Sequence, residues 1–155
     1  MSQQQRWNNC IGNQEVSPFR LLRPTTLAEI VDIVKRAESE NRKVRAVGSG
    51  HSFSDIGITD DYLIDTHGLN KVLALDTETL NEGAKNLTLV DVECGITVAD
   101  VNAALDGLGL ALINMGAHTA QTVVGAFSTS THGSGISLGS TASVVGRSRR
   151  NGETS

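Results

Sequence analysis

Val44-Arg45-Ala46-Val47-Gly48-Ser49-Gly50-His51-Ser52-Phe53-Ser54-Asp55 is the stretch on which the reading of this chain turns. A β-rich run enters it, and a glycine turn leaves it with a histidine between small hydroxyl residues. Glycine tolerates positive φ and lets another molecule approach the backbone. Successive N–H groups in such a turn form a concavity that suits an anion. A histidine at its lip can serve as base, metal ligand or nucleophile. A second stretch has the same ingredients: Gly125-Ala126-Phe127-Ser128-Thr129-Ser130-Thr131-His132-Gly133-Ser134-Gly135. Two such loops suggest one phosphate-bearing ligand held from two sides.

Outward from the first loop the chain reads as mixed α and β. Phe19 to Arg23 is a short strand stopped by Pro24. Thr26-Leu27-Ala28-Glu29 has capping-box spacing. Leu27, Ile30, Val31, Val34 and Ala37 follow at helical period, which predicts a helix from Leu27 to Glu40. Val44 to Val47 is a strand. Tyr62 to Asp65, Val72 to Leu75 and Leu87 to Cys94 read as further strands, with Thr77 to Asn86 as a hairpin connection. Thr97-Val98-Ala99-Asp100 is a second capping pattern. Val98, Val101, Ala104, Leu105 and Leu108 line a helix face that Gly109 caps. Leu110 to Ile113 is a candidate strand. Asn114 to Gly135 is poor in charge, but Val123, Val124 and Phe127 can pack it, so it reads as an ordered ligand-lining segment. Met1 to Gln14 reads as a polar, loose start with Trp7 as its large anchor.

Composition excludes several function classes. The chain has 155 residues, room for one domain with a real core. A net charge of −4 argues against a nucleic-acid surface, and 3% aromatic content offers no base-stacking platform. The short cluster Arg147, Arg149 and Arg150 reads as a solvated tail. Cys10 and Cys94 lie far apart, which suits neither a disulfide framework nor a zinc site. They read as reduced thiols of an intracellular protein, Cys94 within the core. No apolar leader stretch opens the sequence and no run reaches membrane-span length.

Gly48-Ser49-Gly50-His51-Ser52-Phe53 lacks the third glycine of a dinucleotide fingerprint, and no helical period follows it. A Rossmann nicotinamide module is therefore disfavoured. A P-loop is excluded because no Gly-Lys-Ser or Gly-Lys-Thr occurs. His51, His118 and His132 have no partner at metal-ligand spacing, so no metal is expected. His67 reads as an ordinary exposed histidine. On spacing alone His51 and His132 each read as a turn histidine that satisfies local backbone groups.

A wider set of residues resembles the flavin-binding domain of the vanillyl-alcohol oxidase, or p-cresol methylhydroxylase (PCMH), superfamily, in the manner of the sugar-1,4-lactone and alditol oxidases. The resembling residues are Trp7-Asn8-Asn9, Arg23 to Thr26 with Glu29-Ile30, Val44 to Ser54, Val92 to Gly95, Gly107 to Leu112 and Ser130 to Gly135. The resemblance implies an α+β PCMH-type fold of two small lobes, the second incomplete. It implies an N-terminal segment over 1–18, the FAD-binding domain over 19–146 and a polar tail over 147–155. FAD is the implied cofactor and partner. Val47, Gly48, Ser49, Gly50, His51 and Ser52 would hold it from one side. Ala117, Thr122, Gly125, Thr129, Ser130, Thr131 and His132 would hold it from the other. His51 would be the covalent anchor, bonded to the flavin 8α-methyl, and no catalytic base is visible. Relatives of this kind oxidise a sugar lactone or polyol hydroxyl with oxygen as acceptor. Their chains continue after the match to Val144-Val145-Gly146 into a substrate domain, so this chain is expected to be C-terminally truncated and of little activity alone. The competing expectation is a non-catalytic remnant or small interaction protein that binds no cofactor.

Overall fold

A computed structural model of the chain describes residues 5–74, 88–135 and 137–141. The first lobe is built on a parallel three-stranded sheet. Its strands are β3 (Arg20–Leu22), β4 (Val44–Val47) and β5 (Tyr62–Asp65), in the order β3-β5-β4. Helix α1 (Leu27–Ser39) connects β3 to β4, so β5 enters between two strands already joined by a crossover. β5 is paired on both sides and is buried throughout Tyr62, Leu63 and Ile64. A central parallel strand has no solvated face, which explains an apolar run without alternation.

α1 begins where its capping box places it. Thr26 Oγ1 accepts from the Glu29 N–H, and the Glu29 carboxylate accepts from the Thr25 N–H. It ends in a left-handed Asn41 (φ 51°), with Asn41 N–H bonded to Glu38 O and Arg42 N–H to Ala37 O. That is the Schellman closure. α2 (Val98–Asp106) closes the same way with Gly109 (φ 68°), whose glycine was legible as its cap. α3 (Val123–Ser128) does so with Ser130 (φ 54°), a serine held in a backbone region that costs an L-residue about 1 kcal/mol.

The N-terminus is not loose where it is described. β1 (Trp7–Asn8) and β2 (Glu15–Val16) pair antiparallel, and Asn9 is buried to 2% exposure. Trp7 and Val16 pack on the first-lobe core with Val47 and Leu63. Short polar strands carry too little apolar periodicity to be read from sequence.

The second lobe has its own core of Ile96, Val98, Val101, Leu105 and Val123, with Leu112, Met115 and Phe127 packed against it. β6 (Val72–Leu73) and β7 (Asp91–Val92) form an antiparallel pair. Each is shorter than expected, since Ala74 and residues 88–90 and 93–94 are described and lie outside any strand. The expected connection over Thr77 to Asn86 lies outside the described residues, as do Val144 to Gly146 and the polar tail. Leu110 to Ile113 forms no strand. Leu110 is taken up by the Schellman closure of α2, donating to Leu105 O, and Ile113 is exposed. Asn114 to Gly135 contains α3 and is ordered by its bonds to the lobe: Val98 N–H to Gln121 O, Ala99 N–H to Thr119 O and Val123 N–H to Ile96 O. No helix among the described residues is long and apolar enough to cross a membrane.

Candidate functional site

The glycine loop sits at the C-terminal end of β4, on the seam between the lobes. No helix opens behind it. A single 3-10 turn at Asp55–Gly57 follows, and the chain then returns into β5. An anion there would meet loop N–H groups rather than a helix terminus.

The loop's carbonyls are engaged from the N-terminal side. Cys10 N–H donates to Gly50 O, Asn9 Nδ2 to Ser52 O, and Asn13 Nδ2 and Gln14 Nε2 to Phe53 O. Among the described residues no hydrogen bond engages the N–H groups of Ser49, Gly50, His51 or Ser52. A half-buried row of unengaged donors fits a diphosphate. Gly50 has φ 68°, and a Cβ there would lie 3.1 Å from Asn9 Cα and 3.2 Å from the Trp7 ring. Both backbone and space require glycine.

The second segment meets this loop directly. A Cβ on Gly48 would lie 2.1 Å from Thr122 Oγ1 and 3.0 Å from Thr122 Cβ. That contact is close because Thr122 is 3% exposed and fixed by its role as N-cap of α3, accepting from the Gly125 N–H at 3.3 Å. The next residue pair across the seam is His51 and His118. Their rings stack with centroids 5.9 Å apart at 21°. His51 Nδ1 also lies 3.5 Å from Cys10 Sγ. Ala117, adjoining His118, is exposed and can offer only its backbone.

The remaining expected residues fall in two groups. Thr129 Oγ1 donates to Gly125 O, and Thr131 N–H to Ala126 O, so Gly125, Thr129, Ser130 and Thr131 form the end of α3. His132 is exposed with Nδ1 3.0 Å from Gly133 O, and no described contact brings it to His51. Val47 is buried in the first-lobe core, and its carbonyl accepts from Thr66 Oγ1. Among the described residues no cluster of three or more His, Cys, Asp or Glu could hold a metal.

His67 departs from its expectation as an ordinary exposed histidine. It is half-buried at the end of a connected chain: Ser49 Oγ to His67 Nε2 at 3.2 Å, and His67 Nδ1 to Asp65 Oδ1 at 2.6 Å. Arg23 donates to the other oxygen of Asp65, from Nε at 2.9 Å and from Nη2. Burial alone would raise the Asp65 carboxyl, but bonds from the His67 N–H and ring and from Arg23 outweigh it and hold it below the usual carboxylate range. The 42-residue separation of Arg23 from Asp65 left no local signal in the sequence.

An apolar cavity of about 60 Å³ lies inside the second lobe, lined by Val101, Leu112, Met115, Phe127 and their neighbours. It is several-fold smaller than small-molecule pockets usually are.

Residues 18–148 match the family described as FAD binding domain. The chain belongs to that family. FAD is the cofactor of that family's domain. The chain is 40% identical over 130 residues to L-gulono-1,4-lactone dehydrogenase of Mycobacterium tuberculosis, covering 84% of this chain and 28% of that protein. It is 38% identical over 141 residues to L-gulonolactone oxidase of Mus musculus, covering 91% and 30%. It is 37% identical over 128 residues to D-arabinono-1,4-lactone oxidase of Eremothecium gossypii, covering 83% and 23%. The chain thus spans under a third of the length of these relatives. Cholesterol oxidase from B. sterolicum superposes with a TM-score of 0.70 at 19% identity, over 84% of this chain and 24% of that one. The oxidoreductase GilR superposes at 0.62 with 26% identity, over 76% and 23%. The mixed, two-lobed PCMH-type fold is that of an FAD-binding domain resembling those of sugar-lactone oxidases.

Proposed function

We propose that the chain holds FAD across the lobe seam, with the Gly48–Ser52 loop on one side and residues from Ala117 to His132 on the other, as the flavin module of an oxidoreductase acting on a sugar-1,4-lactone or related polyol hydroxyl. The contact of Gly48 with Thr122, beside the His51–His118 pair, carries this reading, because it makes two separate segments one surface.

Each group has a part. The N–H groups of Ser49 to Ser52 donate to the diphosphate. Gly48 lets the Thr122 segment close on the loop. The exposed backbone at Ala117 and Gly125 and the hydroxyls of Thr129, Ser130 and Thr131 line the opposite wall. His51 is the proposed covalent anchor, since an imidazole nitrogen can act as a nucleophile toward carbon when unprotonated. Bound FAD supplies two-electron acceptor chemistry, and the protein supplies binding, orientation and tuning. The relatives carry both oxidase and dehydrogenase names, so oxygen as acceptor rests on the oxidases among them. The domain proper is proposed over residues 19–146, with 147–155 outside it.

The visible spectrum of the purified chain, followed by acid precipitation, tests this. A flavin spectrum that stays with the pellet, and is released from it in His51→Ala, is the expected result for a covalent anchor. Colour released to the supernatant by the native chain overturns the covalent role of His51 and leaves the FAD site. A chain that stays colourless after incubation with FAD overturns the site, and the non-catalytic reading then replaces it.

A further inference from the structure

The Ser49–His67–Asp65–Arg23 chain is not accounted for by holding FAD through loop N–H groups alone, and its hydrogen-bond directions are determined by chemistry. Asp65 is ionised and can only accept. The proton between it and His67 therefore sits on Nδ1, which donates to Asp65 Oδ1. In the neutral imidazole Nε2 is then an acceptor, and the hydrogen at 3.2 Å belongs to Ser49, whose hydroxyl donates inward. In that state Ser49 presents only lone pairs to a ligand, while the oxygens of a diphosphate also only accept. The two repel.

One proton resolves the conflict. When Nε2 gains a proton from solvent, it donates to Ser49 Oγ, and the Ser49 O–H is freed to point at the ligand. No heavy atom moves. Arg23, on the far oxygen of Asp65, keeps that carboxylate in place. The other face of the turn that carries His67 meets Gly95, whose Cβ position would fall 1.7 Å from Thr66 O. The groups preceding Gly95 are Glu93, whose carboxylate accepts from the Lys71 N–H, and Cys94, whose thiol burial raises and so keeps neutral.

We propose that His67 is a positioning residue coupled to protonation: binding of a diphosphate diester at the glycine loop takes up a proton at His67 Nε2 and reverses the Ser49 hydroxyl. This deepens the FAD reading and rests on it. It makes affinity for the diphosphate rise as pH falls. The flavin end gains nothing from it.

Titration calorimetry in phosphate-free buffers of different ionisation enthalpy reads the proton directly. The probes are FAD, ADP-ribose and riboflavin. The first two carry a diphosphate diester that does not titrate near neutral pH, and the third carries none. The native chain should take up a proton with FAD and with ADP-ribose, and none with riboflavin. His67→Gln puts an amide N–H near the Nε2 position, so it should retain FAD binding, lose the uptake and lose the pH dependence. Ser49→Ala should also lose the uptake, which keeps the test decisive if His67→Gln misfolds. Binding of FAD without proton uptake in the native chain, or uptake that persists in His67→Gln, overturns the proposal. Uptake with ADP-ribose in a chain that does not bind FAD would uphold the relay and overturn the flavin assignment. Binding of neither overturns both.

Discussion

Gly48 shows how much a single missing methyl group can determine. Its Cα faces the Thr122 side chain so closely that any Cβ would fall well inside van der Waals contact. Thr122 could escape only by rotating, and rotation would break its cap on the Gly125 N–H. The expected outcome for Gly48→Ala is FAD binding weakened by about tenfold or more, equivalent to ~1.4 kcal/mol, in a flavin fluorescence titration. Unchanged affinity would mean that the two segments do not act as one surface. At this scale the sequence was informative about which glycines mattered and silent about why. Gly48 and Gly50 stood out by their spacing, whereas the collision partners Thr122, Asn9 and Trp7 are brought in by the fold. His67 was misread for the same reason. A histidine two residues after a strand has no sequence signature for a hydroxyl 18 residues earlier or an arginine beyond it.

The elements repeat one solution three times. Thr26, Thr97 and Thr122 each cap a helix N-terminus with a side-chain oxygen, and Asn41, Gly109 and Ser130 each close a C-terminus in the left-handed region. The first two caps were legible because a carboxylate stands three residues on, at Glu29 and Asp100. The third was not, because Gly125 occupies that place and the helix has only six residues. Thr122→Ala should lower stability by about 1 kcal/mol, read as a shift in the urea midpoint with the slope unchanged. An unshifted midpoint would show that the cap is not holding α3.

The end of β5 has a pH signature. Asp65 and, at the start of β5, Asp61 both have carboxyls held below their ordinary value. For Asp61 the N–H of Lys43 is the main cause, with the Arg42 guanidinium next. A group lowered in the folded state contributes stability that is fully present above its unfolded value, near 3.9, and is lost as pH falls through the folded value. Stability should therefore be level through neutral pH and decline as pH drops below about 4. Asp65→Asn should flatten part of that acid limb in a pH series of thermal melts. An identical limb in the variant would remove Asp65 from the account.

Across the whole molecule the two lobes have separate cores and meet at a narrow seam of glycines, threonines and histidines. The α+β class, α1 and α2, the glycine loop and the ordering of Asn114 to Gly135 were legible, since hydrophobic period and capping residues are local signals. The parallel order β3-β5-β4 was not, because a central strand inserted between crossover-linked neighbours leaves no trace in local pattern. The N-terminal hairpin was missed because its role is polar: Asn9, Cys10, Asn13 and Gln14 engage the loop's carbonyls and leave its N–H groups for a ligand.

That division of the loop into satisfied carbonyls and unengaged N–H groups is the centre of the functional account, and an equilibrium titration of the purified chain with FAD tests it most directly. Saturable binding of one FAD per chain, strongly weakened in Gly48→Ala, is the expected result. No saturable binding up to about millimolar FAD, the weak end of specific affinity, would contradict the account.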